Sequence, residues 1–427
     1  AALGTNTTGS RSTAIGTGAL AAHNVTDSSN TYNTAVGHTA GTSVTTGTQN
    51  TLIGGLAGDA ITTGSLNTAL GYNSLGANTT ASHVTAVGNA ALTANTTGTR
   101  NTAVGSEAAD AINTGQDNTA IGSLALSADT KGNYSTAIGR GALKLQNFTS
   151  STSAHNTAVG YSAGESVTTG TNNTLIGSLA GDAITTGGHN VATGFNALGA
   201  NTTGNFNVAV GRDTLQANTT ASNNTAMGYS ALLLNTTGTY NVAVGALALD
   251  ANTTGSSNTA VGEGALSANT TSNHNTAVGT DAGATITTGV GNTTLGSTAG
   301  SITTGNSNVS IGYLPMGGAL TTGDGNIAMG YAGLYEVSSG SNNIAIGTNA
   351  GRATSPSGSI TTGSNRIVLG DNSITNAYIK VAWSVTSDAR DKTDFTPLDL
   401  GLDFVKALQP ITYKWDMRSN YGDSEAE

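Results

Sequence analysis

An apolar residue standing directly before a glycine returns along the chain, mostly every 17 residues, the glycine falling at 16, 37, 54, 71, 88, 105, 122, 139, 160, 177, 194, 211, 228, 245, 262, 279, 296, 312, 330, 347 and 370. The residue before it is apolar in 20 of these 21 copies, Thr193 being the exception; the one before that is Ala in 16, and Asn stands four before it in 17. Low-complexity disorder does not keep such phase. With that glycine as position 0, Asn-Thr-Ala-Val-Gly alternates in the sense of a strand, predicting a five-residue strand with Thr and Val on one side and Asn, Ala and Gly on the other. Downstream come Ala at +3, Leu or Gly at +4, Asn, Val or Ile at +7, and usually Thr-Thr-Gly at +8 to +10, whose glycine suits a positive-φ turn.

A unit of two short strands and two turns cannot bury its few apolar groups alone, whereas stacking units at about 4.8 Å makes a continuous core. The expected fold is therefore all-β, a parallel β-solenoid of about 17 residues per coil, forming a shaft of roughly 100 Å over its coils. Val36, Ile53, Leu70, Val87 and Val104 are expected as one inward ladder, and Leu75, Leu92 and Leu126 as part of a second. The row of alanines on the other strand face, including Ala86, Ala103, Ala120 and Ala137, reads as a surface for close approach by neighbouring chains about a three-fold axis, hence a homotrimer. A longer period lies above the short one. Asn33 to Gly64 returns almost letter for letter as Asn156 to Gly187, 123 residues on, and a diverged third copy starts at Asn275.

Composition narrows the classes. The chain has 427 residues with 60 Gly, 4 Pro and 9% charged residues, and without a triplet glycine period it is not collagen. Its net charge of −10 is spread thinly, with no cluster of Lys and Arg to neutralise phosphates, so nucleic acid is not an expected partner. There is no Cys for disulfides or thiolate-bound zinc, and no apolar run approaches the ~20 residues of a membrane span. No membrane insertion is expected, and any signal or anchoring segment is expected outside this chain.

The unit Asn-x-Ala-Val/Ile-Gly-x-x-Ala resembles the head repeat of trimeric autotransporter adhesins, which implies a left-handed parallel β-roll with three chains side by side. Character changes after Gly370: residues 384–427 hold 14 of the 38 charged residues. The sequence predicts a β-rich neck over Asn376 to Trp383, an amphipathic helix carrying Leu400, Phe404 and Leu408 and stopped by Pro410, and a strand from Ile411 to Asp416. Ser387-Asp388-Ala389-Arg390-Asp391-Lys392, with that helix and strand, resembles the endosialidase-type C-terminal intramolecular chaperone of phage tail fibres and tailspikes. The resemblance implies a domain that trimerises, sets a β-rich fibre in register and then cuts itself off before the serine. It makes Ser387 the nucleophile on the carbonyl of Thr386 and Lys392 the base, with Asp388 and Arg390 in supporting roles; Ser-Lys is a variant of the nucleophile-base pair. The family domain is longer than the segment after Ser387. The expected organisation is a repeat shaft over 1–370, a neck over 371–386 and the N-terminal part of the chaperone over 387–427.

Other signals read as structural. Asn-Thr-Thr at Asn6, Asn78, Asn95, Asn201, Asn218, Asn235, Asn252 and Asn269 fits the glycosylation sequon, and equally a turn or ladder residue exchanging with Val44 and Ile61. Glu107, Asp110, Asp117 and Asp129 read as a solvated face rather than a paired-carboxylate glycosidase site. Asp59, Asp110, Asp182 and Asp250 share position +5 without sitting on adjacent coils. The histidines His23, His38, His83, His155, His189 and His274 read as scattered surface or insertion residues without ligand spacing. No cofactor and no metal is expected, and no substrate-directed activity beyond self-cleavage in a full-length parent. The sequence points to a phage tail-fibre shaft on the virion that engages a host surface receptor, a glycan or a protein. The alternative is a bacterial trimeric surface adhesin or extracellular filament. Ice binding is disfavoured, because paired Thr at a turn point in different directions.

Overall fold

The computed structural model describes residues 2–4, 11–25, 30–318 and 322–378. One strand per coil, from Thr13–Ile15 to Ile367–Leu369, builds a single 21-stranded sheet whose neighbours pair in parallel. Register follows the sequence repeat, as in Thr85↔Thr102, Ala86↔Ala103 and Val87↔Val104. Each strand has three residues, not five, and the rest of the coil is turn rather than a second strand. Those turns still hydrogen-bond from coil to coil, as where the Thr62 amide donates to Thr79 O at 2.9 Å. A further strand pair, Gly132–Asn133 with Thr152–Ser153, forms beside the insertion before Asn156.

The core corrects the expected phase of the strand. Ala35, Ala69, Ala86, Ala103, Ala120 and Ala137 are fully buried within the chain's own coils, so the alanine row is not a surface. Val36 and Val87 face outward and half-buried, and Ile53 and Leu70 are 36% and 44% exposed. Leu75, Leu92 and Leu126 are buried as expected. The reason is volume. A coil is so narrow that the strand's inward residue and the +4 residue share one space, and alanine at −2 leaves room for leucine at +4. Where the strand carries Leu52 or Leu175 instead, position +4 is glycine on both sides: a Cβ on Gly41 would stand 2.6 Å from Leu52 Cδ1, and one on Gly58 2.8 Å from Leu52 Cδ2. Gly164 and Gly181 make the same room for Leu175. Such compensation keeps interior packing near constant.

Asparagines thread this core. Asn173 Nδ2 donates to Gly187 O at 3.0 Å, while Asn173 Oδ1 accepts from the Asn190 amide at 3.0 Å, and the same pair of bonds repeats along the −4 column. Asn78, Asn95, Asn201, Asn218, Asn235, Asn252 and Asn269 form a second buried column at +7, so these sequon side chains are enclosed in the folded chain; Asn6 lies outside the described residues. The position-0 glycine is required by both conformation and space: Gly88 has φ +137°, and a Cβ there would collide with Gly105 O of the next coil. The +10 glycine has a different reason from the one expected. Its φ is not positive, but a Cβ on Gly47 would run into Gly64 O of the next coil.

Candidate interaction face

Because the strand buries −4 and −2, the odd positions −5, −3, −1 and +1 all look outward and run as four columns along the sheet. The −3 column is Thr in most coils and Val or Ile in others, and the −1 column is the apolar one. Its members stay open to solvent: Ile121 38%, Ile176 41%, Met227 44%, Leu295 45% and Ile346 43% exposed. Scattered exposed apolar residues are ordinary, but an unbroken stripe is not.

The two flanking columns carry the aromatic residues. Tyr32, Tyr134, Phe206 and Tyr240 stand at −5, and Tyr72, Tyr161, Phe195, Tyr229, Tyr313 and Tyr331 at +1, together ten of the thirteen aromatic side chains among the described residues. They stack up the rib: Tyr134 on His155 with centroids 5.1 Å apart, His189 on Phe206 at 4.9 Å, Tyr313 on Tyr331 at 6.0 Å. Arg212 lies between two rings, its guanidinium carbon 5.8 Å from the Phe195 centroid and 6.0 Å from that of Tyr229. His83, His155, His189 and His274 share the −5 column, which corrects the reading of the histidines as scattered; counting each back from its glycine would have shown it. His23 is not a surface residue either. It is buried at +7, its ring nitrogens meeting Thr45 O and Thr31 Oγ1, and burial pushes its pKa below the ordinary value against that carbonyl's pull.

The acidic group does not form one solvated face. Asp129 is fully buried, accepting from the amides of Gly132 and Phe148 and from Gln146 Nε2. Asp117 pairs with Arg100 at 2.6 Å, a hydrogen bond that lowers its pKa. Glu107 and Asp110 occupy two further columns, so no carboxylate pair faces a common cleft. Among the described residues no group of three or more His, Asp and Glu could hold a metal ion, and no helix is long and apolar enough to cross a membrane.

Thr386, Ser387, Asp388, Arg390 and Lys392 lie outside the described residues, as do the expected helix and the strand from Ile411 to Asp416. What bears on them is similarity: residues 387–427 match the family described as chaperone of endosialidase. No curated protein and no solved structure matches the chain. The class defined by fold and match together is a β-solenoid protein with an endosialidase-type chaperone segment at its C-terminal end. That combination fits a tail-fibre type of protein, and the family points to a phage-associated extracellular one and is associated with trimerisation.

Proposed function

We propose that the chain is the shaft of a homotrimeric phage tail fibre that serves host attachment, with residues 387–427 belonging to a chaperone that directs trimerisation and is then removed. The observation that carries this reading is the conjunction of a 21-stranded solenoid, nearly identical from coil to coil, with the chaperone match. The outward sheet face replaces the alanine row as the trimer surface. From −5 to +1 it is about 20 Å wide, and along 21 strands about 96 Å long, at roughly 3.3 Å per residue and 4.8 Å per strand. That is more than twice the ~800 Å² each partner gives to a standard interface. Three such faces turned to a common axis bring the −1 and −3 columns together, and each chain's −5 rib meets a neighbour's +1 rib, a head-to-tail contact that closes after three.

The test is a triple variant, Val87→Glu, Val104→Glu and Ile121→Glu, placing charges on three successive coils of the outward face. The chain should keep its β circular dichroism, because the native chain already carries polar Thr193 in this column, and it should sediment as a monomer. A variant that still sediments as a trimer removes this face from the interface. The repeat word also supports a second reading, a trimeric surface adhesin. Antibody labelling of phage particles against bacterial surfaces separates the two.

A further inference from the structure

Just past the +1 rib, two places on the solenoid share a notch that other coils lack. Position +5 carries a side chain in most coils, among them Thr93, Asp110, Ser127 and Lys144, but it is bare at Gly76 and Gly199. In both, position +2 is an asparagine whose amide is turned by a neighbour: Asn73 Nδ2 donates to Thr93 Oγ1 at 2.9 Å, and Asn196 Nδ2 to Asp213 Oδ1 at 3.1 Å. Each asparagine's Oδ1 therefore hangs over the bare glycine, where a Cβ on Gly76 or Gly199 would collide with it. The coil before supplies Asp59 or Asp182, each with a buried Oδ1 to which nothing donates. Asp110 and Asp250 have such an oxygen too, but no bare glycine beside it. The second notch opens as a groove of about 460 Å³ lined by Asp182, Asn196, Gly199 and Gln216, within the range of small-ligand sites. Exposed Tyr72 and Phe195 stand one residue before the two asparagines.

The chain itself displays what fits there. In the third block Gly317 is the equivalent bare position, and the ring of Tyr335 from the next coil fills it, with Cε2 2.8 Å and Cδ2 3.0 Å from a Cβ on that glycine. There the polar groups are gone: Leu314 stands for the asparagine and Ser301 for the aspartate. The +2 asparagine's oxygen also has a donor where the chain provides one, since Arg352 Nη1 at +5 reaches Asn349 Oδ1 at 3.0 Å. The two empty notches thus have the room of one six-membered ring and a set of acceptors without an internal donor.

We propose that the Asp59–Asn73–Gly76 and Asp182–Asn196–Gly199 notches each bind one pyranose ring of a neutral saccharide, its hydroxyls donating to the asparagine and aspartate oxygens. The carboxylate selects against acidic sugars, and the flat ring faces beside each notch offer a C–H packing surface. This deepens the attachment reading by giving the shaft a ligand class, and it rests on coils of a single chain rather than on the trimer.

The experiment is saturation-transfer NMR on the full chain with methyl glucoside, galactoside and mannoside, N-acetylglucosamine, and sialic acid as the charged control. At least one neutral sugar should receive transfer, and sialic acid none. The double variant Gly76→Arg with Gly199→Arg should abolish transfer by supplying the donor that Arg352 gives to Asn349. Asn73→Ala with Asn196→Ala, which copies the native Ala90 and Ala332 at +2, should weaken binding about tenfold, the effect of losing a buried hydrogen-bond acceptor. No transfer to any neutral sugar, or transfer unchanged in both variants, overturns the proposal. Sedimentation of the same samples scores the trimer separately, so failure of one reading is distinguishable from failure of the other.

Discussion

At the scale of the residue, this chain accepts conformations most folds avoid. Non-glycine side chains take positive φ at −5, +2 and +4 of successive coils, as in Arg100 at +58°, Ala90 at +54° and Leu92 at +50°. Each costs roughly 1–2 kcal/mol against a right-handed conformation, and the +4 leucine recovers it by full burial. Position +5 shows the opposite balance. Asp250 gains no hydrogen bond at Oδ1, and burial raises its pKa despite the opposing pull of its own amide and that of Ala251. A carboxyl whose folded pKa is raised favours the folded state in its neutral form. That contribution is complete below the ordinary Asp range and is lost as pH rises through the raised value. Asp250→Asn should therefore raise the melting temperature at neutral pH, and the gain should shrink as the buffer is taken below the usual carboxylate range. Thermal melts of the two proteins across that range check it; a gain that grows on acidification would contradict the sign.

At the scale of the coil, the buried asparagines set up a comparison between two matched sites. Asn173 and Asn241 each accept the next coil's asparagine amide and donate to a turn carbonyl, at 3.0 Å to Gly187 O and 2.8 Å to Gly255 O. Gly255 O has a second donor, Asn252 Nδ2 at 2.9 Å, while the corresponding +7 residue beside Gly187 is Ile184. Asn173→Ala should thus leave a buried carbonyl bare and cost more than Asn241→Ala by about 1–3 kcal/mol. Native-state amide exchange in the two coils measures it, and equal costs would mean that water or backbone shift covers Gly187 O. Much of this coil is legible from the repeat: its length, the Asn side of the strand and the buried Leu75, Leu92 and Leu126. The strand's phase is not, because alternation defines two faces without saying which is inside, and large Val and Ile were the natural candidates for a core. The reciprocal exchange of Leu52 with Gly41 and Gly58 contains the answer, since only two residues sharing one space need trade volume. The aromatic ribs were equally hidden, because they appear only when rare residues 17 or more apart are counted from the same glycine.

At the scale of the whole molecule, identity between coils becomes a hazard. Adjacent coils superimpose residue for residue in register, so sliding one chain of a trimer by 17 residues preserves almost every contact on the outward face, and many pairings are near-degenerate. A repeat of this kind does not single out the correct one. A terminal domain that trimerises first removes the degeneracy, because it fixes three chain ends at the same height before the coils close. Cutting it away afterwards leaves a fibre that cannot refold by the same route while its unfolding stays slow, a kinetic trap that suits an extracellular filament. We therefore expect a full-length parent containing this chain to be cut between Thr386 and Ser387 after assembly. Ser387→Ala should leave trimers uncut, and Lys392→Ala should do the same if its amine takes the serine proton, a role that needs burial to lower the lysine pKa toward neutrality. Mass spectrometry of the assembled fibre reads the bond directly: an intact Thr386–Ser387 linkage in Ser387→Ala and a cut one in the parent support self-cleavage. Processing at that bond in the Ser387→Ala protein would assign the cut to a separate protease, with the chaperone segment left as a register device alone.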